Sequence, residues 1–192
     1  MKRFMVGMLA LFVAGVCSAQ EFRIKPVAEK KLKELPSGPL FWRVENFPAL
    51  AQAQAAAGPT SLAVDVHGNT WLFTLGPKGG STPGGTKVAE IGPVPPITAP
   101  EYLLRINYGS GPPGAKTPQH THPGSEAFYV VAGRLGQRTL HGVNHVEAGH
   151  SMNGHPADME MEVFNSGTTE LTALIMFVVD ATKPFSSPAK LP

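Results

Sequence analysis

The stretch GAKTPQHTHPGSEAFYVVAG, residues 114–133, decides how this chain is read. It sets His120 and His122 two positions apart, and Glu126 four further on, among glycines and prolines. Residues i and i+2 of a strand point to the same face, so the two imidazoles aim at one point. A turn at PGS (123–125) lets the next strand bring the Glu126 carboxylate back to that point. Two imidazoles and a carboxylate form the facial donor set that binds Fe(II) and leaves positions open. Zinc, manganese, nickel and copper accept the same donors. A lone HxH pair also occurs in solvated loops, so the surrounding spacing carries the inference.

On either side, short apolar runs are broken by turn residues, with 21 glycines and 19 prolines spread along the chain. That pattern predicts many short strands and an all-β sandwich or barrel. Strands are expected at 40–47, 61–66, 70–75, 86–91, 101–108, 125–132, 134–140, 143–147, 159–164 and 171–180. LTALIMFVVD (171–180) is apolar almost throughout and rich in branched residues, as a strand buried on both faces would be. AEKKLKEL (28–35) is expected to form a short helix stopped by Pro36, and ALAQAQAAAGP (49–59) a second. The glycine-rich GPKGGSTPGGTK (76–87) lacks the lysine placement of a phosphate loop and is read as a hairpin connection. GHSMN (149–153) lacks the closing glycine of a nucleophile elbow.

The first residues have another character. Lys2 and Arg3 precede an apolar run from Phe4 to Val16, followed by CSAQ. This is the layout of a secretory signal cleaved after Ala19. Thirteen apolar residues are too few for a membrane span, which needs ~20. The expected product is secreted or periplasmic, with no membrane attachment after cleavage. Cleavage removes the only cysteine, Cys17, so the mature chain has no disulfide and no thiol nucleophile. It also removes two of the 16 basic residues, leaving 14 against 14 acidic ones. Such a balance gives no nucleic-acid footprint.

Gly114, His120, His122, Glu126 and Gly133 fall at the spacing of the first motif of the cupin family, and the chain resembles that family from about Glu101 to Asp180. The resemblance implies a double-stranded β-helix, the jelly-roll barrel, with a metal inside it. Residues 1–19 are then a signal peptide, 20–60 an N-terminal extension of strand and helix, and 61–192 the barrel. It further implies a divalent ion held by His120, His122 and Glu126, a small-molecule ligand or substrate, and a homodimer. Strands 40–47 and 61–75 could serve strand exchange between copies.

The second family motif is less regular here. Gly149, Pro156 and Asn165 match it, Asp158 stands where a glycine is expected, and Met161 where the fourth ligand is expected. Met161 could ligate through sulfur, line the pocket, or yield the position to His155. Alternation of Met159, Met161 and Val163 also fits plain core filling, with Glu160 and Glu162 outward. His67, His141, His145 and His150 are read as solvated. Phe128, Val130, Met159, Val163 and Met176 are the expected pocket wall. Two functions follow as expectations: a metal-dependent dioxygenase or related oxidoreductase, or a non-catalytic periplasmic binding module.

Overall fold

Every residue of 171–180 is buried in the computed structural model, which describes residues 21–191. The expected signal peptide, residues 1–19, lies outside the described residues. The elements run β1 (Arg23–Leu32), β2 (Phe41–Phe47), α1 (Leu50–Ala56), β3 (Ser61–Val66), β4 (Asn69–Gly76), β5 (Thr86–Ile91), β6 (Tyr102–Gly111) and β7 (His120–Thr121). They continue with β8 (Gly124–Ala132), β9 (Arg134–Thr139), β10 (Gly142–Glu147), β11 (Ser151–Met152), β12 (Met161–Asn165), β13 (Leu171–Asp180) and β14 (Ser187–Pro188). No helix among the described residues is long and apolar enough to cross a membrane.

The strands form three sheets. Two have five strands each, in the orders β1-β6-β13-β8-β11 and β10-β9-β12-β7-β14. From β6 to β14 the chain passes repeatedly between them, which is the winding of a double-stranded β-helix. The third sheet, β3-β4-β2-β5, comes from residues 41–91. It covers the outer face of the β13 sheet.

Pleating explains how β13 is buried on both sides. Leu174, Met176 and Val178 point outward into a core with Trp42, Val44, Trp71 and Phe73 of the third sheet. Ala173, Ile175, Phe177 and Val179 point inward, with Phe128, Val130, Leu135 and Val163. Burial of these side chains is the main favourable term holding the layers together. The helix α1 lies on the far face of the third sheet, with Ala53 against Phe47 and Leu72.

The sheets do not divide at residue 60. β1 is an edge strand of the barrel, antiparallel to β6, and β2 sits between β4 and β5. AEKKLKEL is therefore not a helix: residues 28–32 are strand, paired with Ile106 through Tyr102. Its lysines and glutamates favour helix locally, but the open edge of β6 offers backbone partners that outweigh a weak propensity. Residues 76–87 likewise do not close a hairpin, because β2 lies between the strands they join. Strands 40–47 and 61–75 pair with each other inside one chain.

Candidate metal centre

Two short strands and a turn build the cluster. β7 is held between β12 and β14, with His120 opposite both Met161 and Pro188. The chain then turns at Pro123 and enters β8. At Gly124 a β-carbon would collide with the backbone of Val178 and Val179, so only glycine lets β8 run this close to β13. Two residues on, Glu126 stands opposite Phe177 and points into the barrel with it. One donor atom each from His120, His122 and Glu126 lie within 4.8 Å of one another. His122 Nε2 is 3.7 Å from Glu126 Oε2.

Both histidines have their other ring nitrogen engaged. His120 Nδ1 is 2.8 Å from the carbonyl of Pro118, and His122 Nδ1 is 2.7 Å from that of Phe185. A carbonyl only accepts, so each Nδ1 carries the proton and each Nε2 keeps its lone pair for a cation. Burial drives the His122 imidazole down to about 4, against the upward pull of the Phe185 carbonyl. Burial likewise pushes Glu126 up to about 8, opposed by a hydrogen bond from Gln137. These directions leave both groups uncharged near neutrality, so the 3.7 Å contact is no ion pair, despite falling within ion-pair distance.

The residues fit a divalent cation. Donors on one face of an ion at ~2.1 Å lie about 3.0–3.4 Å apart, so a separation of 4.8 Å must close by roughly 1.5 Å, within reach of side-chain rotation. A cation would also remove the reason for the raised pKa of Glu126 by balancing its charge.

Behind the triad lies a second polar set. Gln137 is fully buried on β9. Its Nε2 donates to Glu126 Oε1 at 2.9 Å and approaches the Met161 sulfur at 3.5 Å. Its Oε1 accepts from His155 Nε2 at 2.9 Å. The structure thus places Met161 beside the cluster with its sulfur on Gln137, and His155 one residue further out. The loop carrying His155 is fastened to the triad. The Asp158 amide donates to the His122 carbonyl at 2.8 Å, and Gly154 lies so close to the backbone of Glu126 that no β-carbon fits. Asp158, where a glycine is expected, has φ +63°, a conformation that aspartate tolerates better than most residues.

The cluster faces a cavity of about 230 Å³ inside the barrel. Of the expected wall residues, Phe128 and Val163 line it. Val130 belongs to the same inward core without lining the cavity. Met176 faces the third sheet, since its even position on β13 puts it on the outward pleat. Met159 precedes β12 and does not reach the cavity. Glu162 points away from the barrel interior, as expected, yet it is buried under Lys116 and Arg138 at 3.0 and 3.5 Å. His67, His141, His145 and His150 are exposed.

Sequence reasoning missed Gln137 and Phe185. Alternation along RLGQRT puts Gln137 inward between Leu135 and Thr139, and a polar residue at an inward position was the available signal. Phe185 had none: it reaches His122 from 63 positions away.

No protein-family model and no curated protein matches this sequence. Solved structures do. A cupin-like protein of Thermotoga maritima is 16% identical with a TM-score of 0.41, over 46% of this chain and 65% of that one. A DMSP lyase of Ruegeria pomeroyi is 18% identical with a TM-score of 0.39, over 45% and 43%. A recombinant oxalate oxidase in complex with glycolate is 23% identical with a TM-score of 0.38, over 44% and 45%. This chain therefore spans less than half the length of the last two. The two facing sheets form a double-stranded β-helix, and the solved structures to which the chain is similar include cupin superfamily proteins.

Proposed function

We propose that this protein holds a divalent cation through Nε2 of His120 and His122 and the carboxylate of Glu126, and acts with it on a small organic molecule in the barrel cavity. One observation carries the reading: three donor atoms, within 4.8 Å of one another, on the wall of an apolar cavity. Three donors on one side leave coordination positions open toward the cavity. A metal bound there supplies Lewis acidity and, if redox-active, a site for dioxygen. The chain itself orients both imidazoles through Pro118 and Phe185, holds the carboxylate through Gln137, and lines the cavity with Phe128, Phe177 and Phe185. A dioxygenase or related oxidoreductase is the activity we propose for this site. The activities named for the similar structures differ among themselves, so the reading rests on the donor set.

A non-catalytic binding module is the second reading. It is favoured by Met161 at the expected fourth-ligand position, with its sulfur directed to Gln137. We further propose export, on the residue pattern of 1–19; an N-terminus at Gln20 in secreted or periplasmic material would bear this out.

The test is metal content after purification with Fe(II), Mn(II), Zn(II) or Cu(II). We expect about one ion per chain in the wild type and a drop of at least tenfold in His120→Ala, His122→Ala and Glu126→Gln, with fold retained by circular dichroism. Equal metal content in all four proteins overturns the reading. Oxygen uptake by the Fe(II)-loaded protein then separates enzyme from binding module.

A further inference from the structure

Asn107 is a buried polar residue of the cavity wall that the proposed metal site does not use. It lies on β6, opposite Pro26 on one side and Ile175 on the other. It is 2% exposed, lines the cavity, and its Oδ1 has no hydrogen-bond partner among the described residues. Thr117, on the same wall, is already engaged, because its hydroxyl accepts the Val163 amide at 3.0 Å. A buried acceptor left without a donor is destabilising, and apolar residues of similar size are better there. An asparagine at this place is therefore accounted for if a ligand completes it.

The cavity says what kind of ligand. A cavity of ~150 Å³ lined by aliphatic and aromatic side chains takes benzene, so 230 Å³ has room for roughly nine or ten non-hydrogen atoms. Phe128, Phe177 and Phe185 line it, and aromatic edges and faces favour a flat ring. Asn107 and Glu126 sit on strands two apart in one sheet and one pleat row apart. Their Cα atoms are then roughly 12 Å from each other. One six-membered ring with a polar group at each end fills that span.

We propose that Asn107 is a specificity-determining residue, whose side-chain oxygen accepts the hydroxyl of a monocyclic hydroxylated aromatic acid while the acid's carboxylate faces His120, His122 and Glu126. The carboxylate end rests on the metal reading above, since a cation with open positions takes anionic oxygen. The hydroxyl end rests on Asn107.

Zinc-loaded protein, which cannot turn over by redox chemistry, is titrated calorimetrically with benzoate, 3-hydroxybenzoate and 4-hydroxybenzoate. One of the hydroxybenzoates should bind about tenfold tighter than benzoate, the effect of one hydrogen bond to a buried acceptor. Asn107→Leu should bring that ratio within twofold, and Asn107→Ala should do the same if the leucine variant does not fold. Metal-free Asn107→Leu should melt roughly 2–4 °C above wild type, because it removes an unsatisfied polar group. The proposal is overturned if wild type shows no hydroxyl preference, if the preference survives both substitutions, or if none of the three acids binds. Failure to take up zinc sinks the metal reading and this inference together. Zinc uptake without a hydroxyl preference sinks this inference alone.

Discussion

The two faces of the β13 sheet are built from alternating residues of the same strands, yet they do opposite things. The outward face packs Leu174, Met176 and Val178 against Trp42 and Phe73, and this layer is mainly apolar, with Trp42 Nε1 and Ser125 Oγ as buried polar atoms that lack a partner among the described residues. The inward face starts the same way, with Ile175 and Phe177, and then admits Glu126 and Asn107, which border a cavity together with His120 of the facing sheet and His122 of the β7–β8 turn. One pleat separates a mainly apolar layer from a layer that gathers ionisable and polar side chains around a cavity. Sites of binding and catalysis commonly give up stability in this manner, and the surrounding core offsets the loss.

The sharpest test compares truncations on the two faces. Phe73 is fully buried in the outward layer and Phe177 lines the cavity. Phe73→Ala should cost about 3–5 kcal/mol, because nothing nearby can collapse into the space. Phe177→Ala should cost less, since its neighbours already border a void. Urea denaturation of both variants measures this, and a larger loss at Phe177 would break the comparison.

The inward face should also respond to pH where the outward one cannot. In metal-free protein Glu126 is raised from 4.5 to about 8, so its contribution is full below 4.5 and lost as pH rises through 8. His122 is lowered from 6.5 to about 4, so its contribution is full above 6.5 and lost as pH falls through 4. Between about 4.5 and 6.5 the two slopes oppose each other, and from 6.5 to 8 only the Glu126 loss remains. We expect apo stability to be level in the first window and to fall in the second, and Glu126→Gln to abolish the fall. Metal binding must displace the Glu126 proton, so affinity should rise about tenfold per pH unit from 6.5 to 8, with one proton released. Calorimetry in buffers of different ionisation enthalpy counts that proton; a count of zero contradicts the assignment.

How much of this contrast the sequence disclosed depends on the range over which each feature is encoded. β3, β5 and β13 were placed to the residue, because branched apolar runs bounded by turn residues are local signals. The histidine pair and Glu126 were legible for the same reason: six positions and a turn bring them together. β1 was misread, since its lysines and glutamates favour helix and its true partner, β6, lies some 75 residues away. The place of β2 between β4 and β5, and the Phe185 carbonyl on His122, are pairings between distant segments that no local pattern encodes. Gln137 lay between, marked by parity but without a stated partner.

Gln137 gives a smaller effect than the ligands themselves. It touches Glu126 and His155 but lies behind the triad. Gln137→Leu keeps the volume and removes the donor that orients the carboxylate, so metal affinity should fall about tenfold, in line with other outer-shell partners. Apo stability at pH 6 should fall by about 1–3 kcal/mol, because buried Glu126 Oε1 loses its donor and half-buried His155 Nε2 its acceptor. A loss of fold, rather than of affinity, would make Gln137 a structural residue.

Met161→Leu should do least, and the direction of that result separates the readings of this position. The side chain is buried opposite His120, and leucine fills nearly the same volume, so stability should change by under about 1.5 kcal/mol. The sulfur is already approached by Gln137 Nε2 at 3.5 Å, and a thioether is a poor partner for hard or borderline ions. Affinities for Mn(II), Fe(II) and Zn(II) should therefore stay within threefold of wild type. Copper is the discriminating ion, because Cu(I) prefers soft sulfur. If Met161→Leu lowers Cu(I) affinity more than tenfold while leaving Zn(II) unmoved, the thioether is a fourth donor and Gln137 must release it on binding. If copper and zinc respond alike, Met161 belongs with the core residues that hold β12 against β7, and the site works with three donors.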